Sequence, residues 1–116
     1  GNNDGLIMAT YTNTSYVSKN VPTTGATITT VGASNTIAIT SMVIANTSSS
    51  PITSDVYFTR SATDYYLVKG ATIAVGGSLE VIGGNRVTLI ASDALKVVAS
   101  ANSSADCVTS VLLTAP

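Results

Sequence analysis

The chain is a succession of short runs rich in Thr, Val and Ile, each closed by a cluster of Gly, Pro, Asn, Asp or Ser, on average about ten residues after the last, within the 8–12-residue spacing of an all-β fold. β-Branched side chains lose χ1 freedom in a helix and pack well on a pleated surface, so such runs favour strands. No stretch of roughly ten residues carries a 3.6-residue period with helix caps, and no repeat has the period of a solenoid or propeller. Punctuation falls at Asn20-Val21-Pro22, Gly32–Asn35, Thr47–Pro51, Ser61–Asp64, Gly70, Gly76-Gly77, Gly83–Asn85, Ala91–Asp93 and Ala101–Asp106. A length of 116 residues suits one domain. The expected fold is all-β: a single β-sandwich of about eight or nine short strands, with jelly-roll connections an option and an N-terminal arm in front.

Residues 1–20 are expected to form that arm or a first edge strand, and residues 21–116 the sandwich. Asn, Asp and Gly dominate residues 1–7, which carry too few apolar groups to offset their ordering entropy alone. An arm of this kind orders mainly by contacting another subunit. Gly1–Gly5 has neither a positive region nor an apolar one, so no signal peptide is expected. A first residue other than Met leaves two readings open, processing before Gly1 or initiation at Met8. In Thr36–Asn46, Ile37 and Ile39 share a face whereas Met42 and Ile44 fall on the opposite parity. Either both faces are buried, or a bulge near Thr40-Ser41 shifts the register. The expected core is Ile37, Ile39, Val56, Phe58, Leu67, Ile73, Leu79, Val81, Val87, Leu89, Leu95, Val97 and Val111.

Composition narrows the function classes. Only 9% of residues are charged and the net charge is −1, so there is no basic face to displace counterions and no nucleic acid is expected as partner. With 45% hydrophobic residues the chain is not a solvated disordered tail. No apolar run approaches the roughly 18 residues of a membrane span, so no membrane insertion is expected. Low charge and a net charge near zero describe a chain built to be assembled.

Catalytic chemistry has little to draw on. The chain lacks His and Trp and has one Cys. Cys107 reads as a small buried hydrophobe, the usual state of a free cysteine. A serine triad is impossible without His, and Tyr16, Tyr66 and Asp93 stand where a local Ser-Lys dyad would need its serine. The Gly pairs lead into strand-like segments rather than a helix, so they read as hairpin turns, not phosphate loops. The six carboxylates are dispersed in sequence. Sequons at Asn13, Asn46 and Asn102 are expected by chance in a chain so rich in Asn, Ser and Thr. No catalytic, cofactor or metal site is therefore expected, and no enzyme.

Two surfaces stand out. Tyr57, Arg60, Asp64, Tyr65 and Tyr66 gather around one predicted hairpin, where aromatic rings beside polar groups could stack on a sugar; cross-strand packing on an outer face gives the same list. With Leu79/Val81, Val87/Leu89 and Leu95/Val97 facing the core, the opposite face still shows Ile82, Ile90 and Val98. A solvated face should alternate to polar residues, so these three mark a candidate subunit interface.

From Asp55 to Leu113 the chain resembles small β-sandwich structural proteins of tailed bacteriophages, marine cyanophages in particular. The likeness lies in the Gly-Gly-x-Leu-x-Val hairpin at Gly76–Val81, the Leu-x-x-Gly-Asp-x-Leu-x-Val hairpin at Leu89–Val97 and a closing strand at Asp106–Leu112. Ser92 departs from the pattern's Gly, and Cys107 and Thr109 stand where it has Val. The resemblance implies a non-enzymatic virion protein that is made in the host cytoplasm and docks on capsid or tail proteins. Decoration, neck, tail and fibre roles are all compatible with it. It also implies a homo-oligomer, a trimer first. The alternative is a carbohydrate- or receptor-binding module that uses the Arg60–Tyr66 hairpin on a host surface glycan.

Overall fold

The computed structural model describes residues 9–116. Nine strands follow one another: β1 (Thr10–Ser18), β2 (Ala26–Thr30), β3 (Thr36–Asn46), β4 (Ile52–Arg60), β5 (Thr63–Ile73), β6 (Ser78–Glu80), β7 (Val87–Ile90), β8 (Ala94–Ala99) and β9 (Ala105–Ala115). Among the described residues there is no helix. One sheet has the order β1-β9-β3, with β6 and β7 both on the far side of β3; the other has the order β2-β8-β4-β5. Every pairing is antiparallel.

The pairs are nested, β1 with β9, β2 with β8, β3 with β6 and β7, β4 with β5. A chain folded in half at the β4–β5 hairpin and then rolled up gives this order, and the fold is a jelly roll. At the fold point Ser61 and Ala62 both take positive φ, 51° and 64°, between the paired residues Arg60 and Thr63. A two-residue turn of that hand matches the twist of the flanking strands.

The parity break in β3 is a bulge. Its register against β9 shifts between Ile39 and Ser41, which brings Met42 and Ile44 to the same side as Ile37 and Ile39. All four are buried. The core of the sandwich holds Ile37, Ile39, Val56, Ile73, Leu89, Leu95, Val97 and Val111 as expected, with Phe58, Leu67, Leu79, Val81 and Val87 half-buried against it. It also takes in Val21, Val31, Ile52, Ile82, Ala99, Ala105 and Cys107. Buried Asn46 donates its amide to the carbonyls of Ser50, Ile73 and Ala74 and accepts from Ser48, so this sequon is a structural joint.

Gly70 does not end a strand, contrary to the sequence reading. β5 runs through it as an irregular stretch, and Gly70 takes φ +66° and donates its N–H to Asp55 Oδ1 at 2.7 Å. Thr10–Ser18 is an edge strand, paired with β9 along all nine residues. The arm expected over residues 1–7 lies outside the described residues.

Candidate functional site

Successive side chains of a strand point to opposite faces, and this divides the expected recognition patch. Tyr65 lies opposite Phe58, rings 5.4 Å apart and stacked, while Tyr66 lies opposite Tyr57, rings 5.0 Å apart and tilted. Asp64, paired with Thr59 and accepting its hydroxyl at 2.7 Å, shares the outer side with Tyr57 and Tyr66. Lys69 Nζ sits 4.3 Å from the Tyr66 ring centroid, and Lys96 pairs with Tyr57 in the register of β8. Arg60 and Tyr65 are on the other side. The five residues thus form no single patch: Tyr57, Asp64 and Tyr66 keep an outer surface, and Arg60 is engaged elsewhere. Next to that surface a shallow concavity of about 310 Å³ is lined by Thr23, Thr53, Asp55, Val98, Ala99 and Ser100.

Arg60 turns to Asp93. Its Nε and Nη2 donate to Oδ1 and Oδ2 at 2.9 and 2.6 Å, a bidentate pair. The Asp93 side chain is 1% exposed and also accepts the Ile90 N–H. Its backbone carbonyl takes the Val31 N–H. One residue therefore ties the end of β7, in the five-stranded sheet, to the ends of β2 and β4 in the other. Hydrogen bonds from Arg60 hold the Asp93 carboxyl below the usual carboxylate range, against the effect of its burial.

The other described carboxylates also hold the framework. Asp55 caps the irregular turn of β5 at Gly70. Glu80 accepts from the N–H groups of Met42 and Ile82 and from Ser41 Oγ, at 3.0, 3.3 and 3.1 Å. Asp106 accepts from the Asn20 N–H and from Lys19. Glu80 and Asp106 are held below their ordinary pKa chiefly by the Met42 and Asn20 N–H groups. Cys107 is fully buried beside Thr109, and burial pushes its thiol pKa up.

The structure does not bring Ile82, Ile90 and Val98 together as the sequence led us to expect: one lies in the core and the other two on the outsides of different sheets. Ile82 is buried in the core at 7% exposure, because the chain leaves the strand pattern after Glu80 and turns inward. Ile90 is 45% exposed on the outside of β7. Val98 is half-buried on the outside of β8, in the other sheet. The crossing from β7 to β8 separates two strands that are neighbours in sequence.

An apolar face does exist, on the outside of the five-stranded sheet. Pairing registers align its side chains in rows: Val17, Val108, Val43 and Glu80; Ser15, Ser110 and Ser41; Asn13, Leu112, Ala38 and Thr88; Tyr11, Thr114, Thr36 and Ile90. Glu80, at the border, is the one charged residue in these rows. Exposure is 76% at Val17, 67% at Tyr11, 47% at Val108 and 45% at Ile90. Of these only Ile90 was expected from the sequence. The signal for the rest is the apolar spacing of Tyr11 and Val17, which gains meaning only once β9 is known to lie beside β1.

No protein-family model matches the chain, and no curated protein matches it. Among solved structures it is similar to a chain of Bacillus endospore appendages, which form a novel family of disulfide-linked pili. The TM-score is 0.55 and the identity 15%, over 92% of this chain and 87% of that one. The shared feature is the fold.

Proposed function

We propose that this protein is a non-enzymatic structural subunit that works by assembling into an extracellular particle. The observation that carries the reading is the outer face of the five-stranded sheet, where Tyr11, Val17, Ile90 and Val108 stand exposed in rows almost without charge. Covering an aliphatic side chain fully contributes about 1.5–3 kcal/mol before association entropy is subtracted. A net charge of −1 sets up little repulsion between copies. The fold shared with a pilus-forming chain supports the reading. Disulfide linkage does not carry over, because Cys107 is the single cysteine and lies buried in the core.

The finer assignment is a virion protein of a tailed phage, a decoration, neck, tail or fibre component docked on capsid or tail proteins. It is supported by the resemblance at Gly76–Val81, Leu89–Val97 and Asp106–Leu112, and by the use of jelly rolls in viral capsids. The trimer rests on that resemblance alone. Light scattering on the wild type and on Val108→Lys tests the assembly reading. The wild type is expected to form oligomers at high micromolar concentration, and the variant to form smaller species with an unchanged far-UV circular dichroism spectrum. A monomeric wild type removes the reading; a variant that assembles normally moves the interface to another face.

A second reading is a glycan-binding module, favoured by the exposed Tyr57–Tyr66 pair with Lys69 beside it and the adjoining concavity. Binding on a glycan array that is lost in Tyr66→Ala would support it. A wild type that binds no glycan removes it.

A further inference from the structure

A sheet edge exposes unpaired N–H and C=O groups, and proteins blunt such edges with short strands, charges, prolines or bulges. Three of the four edges here are blunted. The far side of the five-stranded sheet ends in β6 and β7, of three and four residues. β2 has five residues and a register shift, and β5 carries Asp64, Lys69 and two register shifts. β1 has none of these devices. Its nine residues contain no charge, Pro or Gly, and it pairs with β9 without a break. Among the described residues no strand pairs with its other side.

We infer that β1 is a self-pairing edge, on which a second copy of this chain adds its own β1, antiparallel about a two-fold axis at Thr14. The inference rests on the assembly reading above and adds to its face contact a second junction, at the sheet edge. Such an axis, normal to the sheet, keeps both outer faces on one side and joins two five-stranded sheets into one. Thr14 then faces its counterpart, Asn13 faces Ser15, Thr12 faces Tyr16, and Tyr11 faces Val17. Tyr11 and Val17 are the two most exposed large apolar side chains among the described residues, at 67% and 76%. In this register each covers the other, twice by symmetry, as an aromatic and β-branched cross-strand pair. Centring on Asn13 sets Val17 against Ala9, and centring on Ser15 sets Tyr11 against Lys19. Only the Thr14 register matches the exposed pair, and it opposes no like charges.

The test combines full-length chains carrying Tyr11→Cys or Val17→Cys, with the buried Cys107 left in place. Mixed and mildly oxidised, the two variants should cross-link to each other, since a mixed dimer brings the new thiols opposite and keeps one native Tyr11–Val17 pair. Alone, neither should cross-link, because the two introduced thiols of a symmetric dimer lie about 20 Å apart along the strand. Asn13→Lys combined with Ser15→Lys sets like charges opposite each other and should weaken self-association about tenfold or more. Circular dichroism should stay unchanged, since both sites are exposed. If the wild type oligomerises but the mixture cross-links no better than either variant alone, β1 pairing is overturned and the assembly reading stands. A wild type that remains monomeric at high micromolar concentration overturns both.

Discussion

Asp93 shows what a single residue does in this fold. The sequence marks it as part of the turn Ala91–Asp93, and there its side chain accepts the Ile90 N–H. Its larger role, the bidentate grip on Arg60, joins residues 33 positions apart and had no local signal. That distance is also why Arg60 read as part of a recognition patch. Because the native carboxyl titrates below its unfolded value of about 3.9, its stabilisation is full above roughly pH 4 and fades as pH falls through the native pKa. Asp93→Asn should therefore lower stability at neutral pH by about 1.5–3 kcal/mol, the ordinary range for a charge-assisted hydrogen bond. It should also flatten the loss of melting temperature between about pH 4 and pH 2. An acid limb as steep as the wild type's would place the titration elsewhere, with Glu80 and Asp106 the other lowered groups.

At the level of elements, the bulge in β3 decides which side chains are inside. The irregularity at Thr40 rephases the strand, and the Glu80 carboxylate accepts the Met42 N–H just beyond it. Glu80→Ala removes that acceptor and should cost about 1 kcal/mol, discounted for solvent access. The melting temperature should fall by about 4 °C, with the strands retained in the circular dichroism spectrum. An unchanged melting temperature would mean that water serves the bulge equally well. The break between Ile39 and Met42 was legible in the sequence as two alternatives, and the register shift selects the bulge. Gly70 was misread because a glycine in a strand looks like an end until the strand beyond it is seen to keep pairing. Ile82 was misplaced for a related reason: alternation was extended past Glu80, where the strand had already stopped.

For the molecule as a whole, the turn rhythm made the strand count and the sandwich legible, since each turn is a local decision of Gly, Pro, Asn or Ser. Which strands lie side by side was not, because the β1–β9 and β2–β8 pairs join opposite ends of the chain. The outer face depends on that adjacency and was out of reach for the same reason. The nesting has a bearing on how the protein comes into being. β9 lies between β1 and β3 and hydrogen-bonds to both, yet it is the last of the nine strands to leave the ribosome. Until then β1 has no neighbour in its sheet, and the apolar flanks of β1 and β3 stay open to other nascent chains. Pairing across so much intervening chain also makes closure slow, as for other all-β folds of non-local contacts. A chain ending at Ser104 should show no cooperative thermal transition, and should recover one when a peptide of residues 105–116 is supplied. A cooperative transition in the truncated chain alone would show that the four-stranded sheet is self-sufficient. If it is not, translation has to run through Ala105–Ala115 before any of this fold can exist.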